Sequence, residues 1–333
     1  MTTHFPNMSN GANGSTPPQQ QPAQPVHQAP PPLPPGAPWQ FKHLLRFPND
    51  PIVRQRFEFR DLALKIREHL TNQVGQYTRD KAARMLWVQG KPGEGKSDGC
   101  LIACLNANFT TAVLSPGLFA GEVEGASVQT LHAVMAELER WSATYNVRVV
   151  VIIDDFDLST ANVGENQGHT INSQLLVNEF MALADKRHLY RNVDGSNIGF
   201  IITVNDATGM RESLHRPGRA IWYDHMPSPE DRTNIAWSVL DPKTSTERAL
   251  VTALVRKNIR QPIAFWTALQ LHMRALQARS LIEKGMPEAS AINAVYQRRL
   301  ALTPETAWAA AKLIRTSRVR NYLTNRKRWW GRR

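Results

Sequence analysis

The chain has 333 residues, 42% apolar and 20% charged, with a net charge of +12 and two cysteines. A chain of this length and apolar content can bury a core without disulfide staples, and no apolar run reaches the ~18 residues that a membrane-spanning helix needs. Nine Lys and Arg and no acid fall between Lys312 and Arg333, which leaves only about +3 on everything before them, so the basicity belongs to the tail.

In chain order, residues 1–40 contain no Lys, Arg, Asp or Glu but hold half of the 22 prolines, in runs such as "PPQQQPAQP" and "APPPLPPGAP". Such a segment has too little apolar surface to offset its ordering entropy, which predicts a disordered Pro/Gln-rich arm of local polyproline II character. It has no basic-then-apolar export pattern, so a soluble, cytoplasmic protein is expected. Trp39 and Phe41 at its end offer either a docking peptide or the close of a solvated leader. Residues 41–80 form a helical lead-in, because Phe57, Leu62, Leu64, Ile66 and Leu70 recur at helical spacing.

From 81 to 226 short apolar runs alternate with helical patterns: "MLWVQG", "TAVLSP", "VRVVVIIDD", "IGFIITVND" and "AIWYDHM". Strands that read as continuous apolar runs are those of a parallel sheet covered on both faces, so an α/β nucleotide-binding domain is predicted. Cys100 and Cys104, four apart among Leu101, Ile102 and Leu105, read as buried, reduced thiols on one helix face. Residues 227–316 change to helical period throughout, with Ser228 and Thr303 placed as N-caps before a proline, and predict a small helical domain. Residues 317–333 are a basic, tryptophan-bearing tail.

The first motif is "WVQGKPGEGKSDGC", residues 87–100. Gly90, Gly95, Lys96 and Ser97 fit G-x-x-x-x-G-K-[ST], between a predicted strand and a predicted helix. Pro92, Gly93 and Glu94 lie among the variable positions of the loop, and Asp98 follows in the first turn of the helix. Glycines let backbone N–H groups wrap phosphate oxygens at a positive helix N-terminus, while Lys96 should reach the outer phosphates and Ser97 should ligate Mg²⁺, a set that a kinase, a GTPase or a motor would share.

The second motif ends "VRVVVIIDDFD". Asp154 is placed to hold the Mg²⁺ shell and Asp155 to orient or deprotonate the water that attacks the γ-phosphate. In "GFIITVND" the amide of Asn205 stands where it could bridge that water and the phosphate. In "LHRPGRAIWYD" Arg216 and Arg219 flank a Pro-Gly turn as charge donors, and supply from a neighbouring subunit would make hydrolysis depend on assembly. His132, His169, His188, His215, His225 and His272 show no ligand spacing, so no metal beyond Mg²⁺ is expected.

With these motifs in this order and a helical segment after them, residues 80–300 resemble the AAA+ ATPases, and within them the Rubisco activases. The likeness is carried by "HTINSQLLVNEFMALAD" (169–185), "AGEVEG" (120–125), the "IITVND" strand, "RPGRAIWYDHMPSPEDR" and "QPIAFWTAL". The resemblance implies nucleotide binding at Gly90, Gly95, Lys96 and Ser97, metal and water handling at Asp154 and Asp155, a first sensor at Asn205, and arginine fingers at Arg216 and Arg219. It further implies a homo-oligomeric, hexameric ring that couples ATP hydrolysis to pulling on a protein client, with Rubisco as the family's substrate. The pore contact falls within residues 118–127, at Phe119 in one register and at Gly125 and Ala126 in the other.

Three features depart from the family. Asp155 stands where many AAA+ proteins have glutamate; Gln270, Leu271 and His272 stand where the lid arginine is expected, with Arg274 nearby; and both ends look unlike the parts that recognise Rubisco. The client is therefore Rubisco, another protein complex recruited through arm or tail, or nucleic acid, where Tyr322, Trp329 and Trp330 among Arg and Lys could stack on bases.

Overall fold

The computed structural model describes residues 39–51, 57–119, 125–156, 171–185, 189–207, 216, 218–279, 283, 285 and 288–316. The arm before Trp39, the loop 120–124, the segment 157–170 and the tail 317–333, with Tyr322, Trp329 and Trp330, lie outside the described residues.

Six strands form one sheet. They are β1 (Leu45–Arg46), β2 (Met85–Gln89), β3 (Thr110–Leu114), β4 (Val149–Ile153), β5 (Phe200–Val204) and β6 (Ala220–Asp224), in spatial order β1-β3-β4-β5-β2-β6. All pairs are parallel except β1 with β3. Every strand from β2 to β6 coincides with an apolar run of the sequence. The antiparallel edge strand β1, two residues long, lies in the stretch expected to be helical, which folds instead as a short 3₁₀ turn (Lys42–Leu44), β1 and then a helix.

Successive side chains of a strand point to opposite faces, and here both faces are covered. Leu86, Val88, Val150, Ile152 and Ile201 meet α1 (Arg60–Val74) and α2 (Lys96–Asn106) on one face. Met85, Trp87, Val149, Val151, Ile153, Phe200 and Ile202 meet α3 (Ala126–Tyr145) and α4 (Ile171–Asp185) on the other. Cys100 and Cys104 are buried free thiols in the first core, and burial pushes both thiols up. Phe119 is 5% exposed within the second core, so its ring is not offered to a channel; of the two registers for a pore contact, only Gly125 and Ala126 at the start of α3 stay clear of the core.

Trp39 and Phe41 also turn inward. The N–H groups of Gln40 and Phe41 donate to the buried Glu137 carboxylate at 3.0 and 2.7 Å, and Trp39 stands edge-on to Trp141 with its face under Arg140. The last residues of the predicted arm are thus seated on α3 of the same chain and not free for a partner.

After the sheet come α5 (Pro229–Leu240), α6 (Ser245–Asn258), α7 (Ala264–Gln277), α8 (Ala289–Gln297) and α9 (Pro304–Thr316). Their apolar stripes converge on Trp266, Leu269 and Met273 of α7, with Ala307, Ala310 and Ala311 of α9 letting that helix approach closely. Ser228 and Asp231 form a capping box with Pro229 in the first turn of α5, and Thr244 and Glu247 form another on α6. The Thr303 hydroxyl accepts from the N–H of Thr306 at the start of α9. A mostly parallel sheet with helices on both faces, followed by a helical bundle, is an α/β layout consistent with an AAA+ domain.

Candidate functional site

The site is built where strand period and strand order coincide. On β4 the face carrying Val150 and Ile152 continues to Asp154; on β5 the face carrying Ile201 continues to Thr203 and Asn205. β2 runs beside β5 and ends in the glycine-rich loop, so that loop opens at the carboxyl ends of three strands. Ligands of open α/β sheets bind at this edge.

Two glycines are required there. Gly95 precedes α2 with φ of 79°, and an added Cβ would meet the Phe59 ring at 3.0 Å. Gly90 is pressed against the next strand's exit, where a Cβ would stand 2.6 Å from the carbonyl oxygen of His225. The loop is therefore clamped between Phe59 and His225, whose rings meet edge-on at 4.7 Å, and the Gly90 N–H donates to the Val204 carbonyl at 3.2 Å.

Lys96 is the first residue of α2, and its ammonium donates to the carbonyls of Gly90 (2.7 Å) and Lys91 (3.1 Å) and to Oδ1 of Asn205 (2.9 Å). The Ser97 hydroxyl donates to Oδ1 of Asp154, which also accepts from the Thr203 hydroxyl at 2.6 Å. The N–H of Asp155 donates to the same Thr203 oxygen at 2.9 Å, and Nδ2 of Asn205 approaches Oδ1 of Asp155 at 3.4 Å. Asp155 has φ of 50°, left-handed backbone that a non-glycine residue adopts at a cost of order 1–3 kcal/mol. Strain of this kind concentrates where a side chain must be aimed.

Lys96, Ser97, Asp154, Asp155 and Asn205 thus form one connected polar group, and Thr203 belongs to it. Its signal in the sequence was a lone hydroxyl in the apolar run "FIITV", two residues before Asn205 and so on the same face. A hydroxyl and a carboxylate on one side of a lysine, beside backbone donors at a helix start, are the donor set that suits a phosphate with Mg²⁺: Ser97 and Asp154 could hold the metal, and Lys96 with the loop the phosphates. Among the described residues no cluster of His, Cys, Asp and Glu suits any other metal.

The remaining predicted residues are placed as follows. Pro92, Gly93 and Asp98 are exposed along the rim of the loop and the first turn of α2, whereas Glu94 is buried. The Glu94 carboxylate takes Arg232 of α5 at 2.9 Å, and its carbonyl faces the His225 ring at 3.0 Å. Arg219 is paired side-on with Asp185 at the end of α4, at 2.8 and 2.6 Å, and Arg216 is exposed. Arg219 directly precedes β6, whose start pairs with the start of β2, at the opposite end of the strands from the loop. Arg274 does not reach the loop either: it donates to the carbonyls of Tyr296 and Arg298, while Gln270 donates to Val239. Arg232 is instead an arginine of the helical bundle with a contact to the loop, and no local pattern announces it because Glu94 lies 138 residues away.

No family model matches the chain. Among curated proteins, the ribulose bisphosphate carboxylase/oxygenase activase of Nostoc sp. is 23% identical over 226 residues, covering 66% of this chain and 54% of that protein. The chloroplastic activase of Phaseolus vulgaris is 24% identical over 227 residues, covering 66% and 50%. That of Arabidopsis thaliana is 23% identical over 228 residues, covering 66% and 47%. The chain spans about half the length of these relatives. Fold, loop and matches together establish a distant, activase-like relationship.

Proposed function

We propose that the chain is an AAA+ ATPase that uses MgATP hydrolysis, in a homo-oligomeric and most simply hexameric ring, to remodel a protein client. The observation that carries this is the polar group joining Lys96, Asn205, Asp155, Asp154 and Ser97, since it aligns a phosphate-binding cation, a metal-type carboxylate and a second carboxylate at one sheet edge. Bound Mg²⁺ would neutralise charge on the phosphate oxygens.

In this mechanism the loop N–H groups and Lys96 bind the polyphosphate of ATP, and Ser97 and Asp154 hold the cation shell. Thr203 fixes the Asp154 carboxylate and, through the Asp155 N–H, the strained turn that follows it. Asp155 accepts the proton of the water attacking the γ-phosphate, Asn205 orients that water, and the products are ADP and inorganic phosphate. Arg216 and Arg219 would act on the ATP of a neighbouring protomer. The Asp185 pair supports this by holding Arg219 at the end of α4, away from the loop of its own chain.

Rubisco inhibited by a sugar phosphate is the client to test first, because the matched proteins bear that name. Carboxylation should recover with MgATP and the wild-type protein and not with Lys96→Ala. Steady ATP hydrolysis without recovery across several Rubisco forms would keep the motor and transfer it to another protein complex. The basic tail, outside the described residues, makes a nucleic-acid-associated ATPase the alternative. Salt-dependent DNA binding that is lost on deleting residues 318–333, with DNA-stimulated hydrolysis, would favour it.

A further inference from the structure

The phosphate loop carries an acid. Glu94 sits between two loop glycines with its side chain 8% exposed, and its Oε2 is buried with no hydrogen-bond partner among the described residues. A carboxylate there opposes the approach of a polyanion and is costly to bury unless balanced. Balance comes from the helical bundle. Arg232 of α5, 16% exposed, donates from Nη2 to Glu94 Oε1 at 2.9 Å and from Nη1 to the carbonyl of Gln261 at 2.7 Å. Gln261 leads directly into Pro262, Ile263 and Ala264; the Ala264 N–H donates to the carbonyl of Gly93 at 2.9 Å, and Pro262 packs on that glycine. The His225 ring faces the Glu94 carbonyl at 3.0 Å, not its carboxylate, and burial lowers its pKa.

We infer that Arg232 is a positioning residue that acts through Glu94: it cancels the loop's own negative charge and fixes the helical bundle on the loop, so that nucleotide affinity depends on the bundle's pose. Gln270, Leu271 and His272 stand where the activase pattern leads one to expect a lid arginine, and this cross-element pair ties bundle to loop by another route.

The inference rests on the loop binding nucleotide, and charge sign separates it from a merely structural bridge. The test is the Kd for fluorescent MgADP, with a thermal melt of each nucleotide-free variant. Arg232→Ala exposes the loop acid to the phosphates and should weaken binding on the order of tenfold or more. Glu94→Gln leaves the guanidinium charge in place and should tighten binding severalfold. Arg232→Ala with Glu94→Gln should return to near the wild-type value, and Arg232→Lys should retain most of the affinity. If both single variants weaken binding equally, the pair is only a bridge and the inference fails; if Arg232→Ala does not fold, the sign of the Glu94→Gln change still decides. No binding by the wild-type protein would overturn the phosphate-loop reading itself and the inference with it, whereas wild-type binding with both single variants unchanged would overturn the inference alone.

Discussion

At the scale of single residues, the proposed mechanism separates holding from reacting. Removing the Lys96 ammonium should abolish measurable ATP binding. Asp155→Asn, by contrast, should leave ATP bound while turnover falls about 10²- to 10⁴-fold, read from phosphate release beside nucleotide retention. Thr203→Val keeps shape and removes the hydroxyl shared by Asp154 and the Asp155 N–H, both otherwise in a half-buried place. It should lower kcat about 10- to 100-fold with little change in KM, because a donor left without its acceptor costs ~1–3 kcal/mol. One further residue contributes to acid sensitivity. His69 on α1 is 1% exposed, and burial holds its pKa at about 4 against the ordinary 6.5. The fold thus binds the neutral ring while the unfolded chain protonates first. Stability from this group is complete above pH 6.5 and should fall by about 3 kcal/mol as pH drops to 4. His69→Gln should flatten that slope in denaturant titrations at pH 4 to 7.

At the scale of elements, the parts that were legible are those with local patterns. The apolar runs became β2 to β6, and Ser228 before Pro229 became a capped helix start. The glycine-rich turn between β2 and α2 was legible because one short segment holds the strand end, the glycines and the helix start. What stayed hidden depends on packing between distant segments. β1 is only Leu45 and Arg46 and draws its hydrogen bonds from β3, so no period could announce it. The Glu94–Arg232 pair is created by topology alone. Arg84 is another such case: fully buried before β2, it donates to the carbonyls of Ile198, Leu183 and Tyr190 and closes the far end of the sheet, with burial lowering its pKa to about 10. From sequence it was an ordinary charged residue. Arg84→Ala should cost about 3 kcal/mol or more, visible as a lower midpoint in chemical unfolding, since it leaves a cavity and strips three buried carbonyls of a donor.

At the scale of the molecule, the two layers of the chain meet at the phosphate loop. Gly93 and Glu94 receive Ala264 and Arg232 from the helical bundle, while Gly95 rests on Phe59 at the entry to α1. The loop is thus in contact with elements on both sides of it. Arg219, fixed to Asp185 away from its own loop, fits a motor completed by assembly. The proposed function requires that this loop turn over ATP. The measurement that tests it most directly is steady-state phosphate release from MgATP by the wild-type protein across a range of protein concentrations, with Asp155→Asn beside it. Turnover per protomer should rise with concentration and be lost in the variant. Absence of release at any concentration, or release that Asp155→Asn leaves intact, would contradict it.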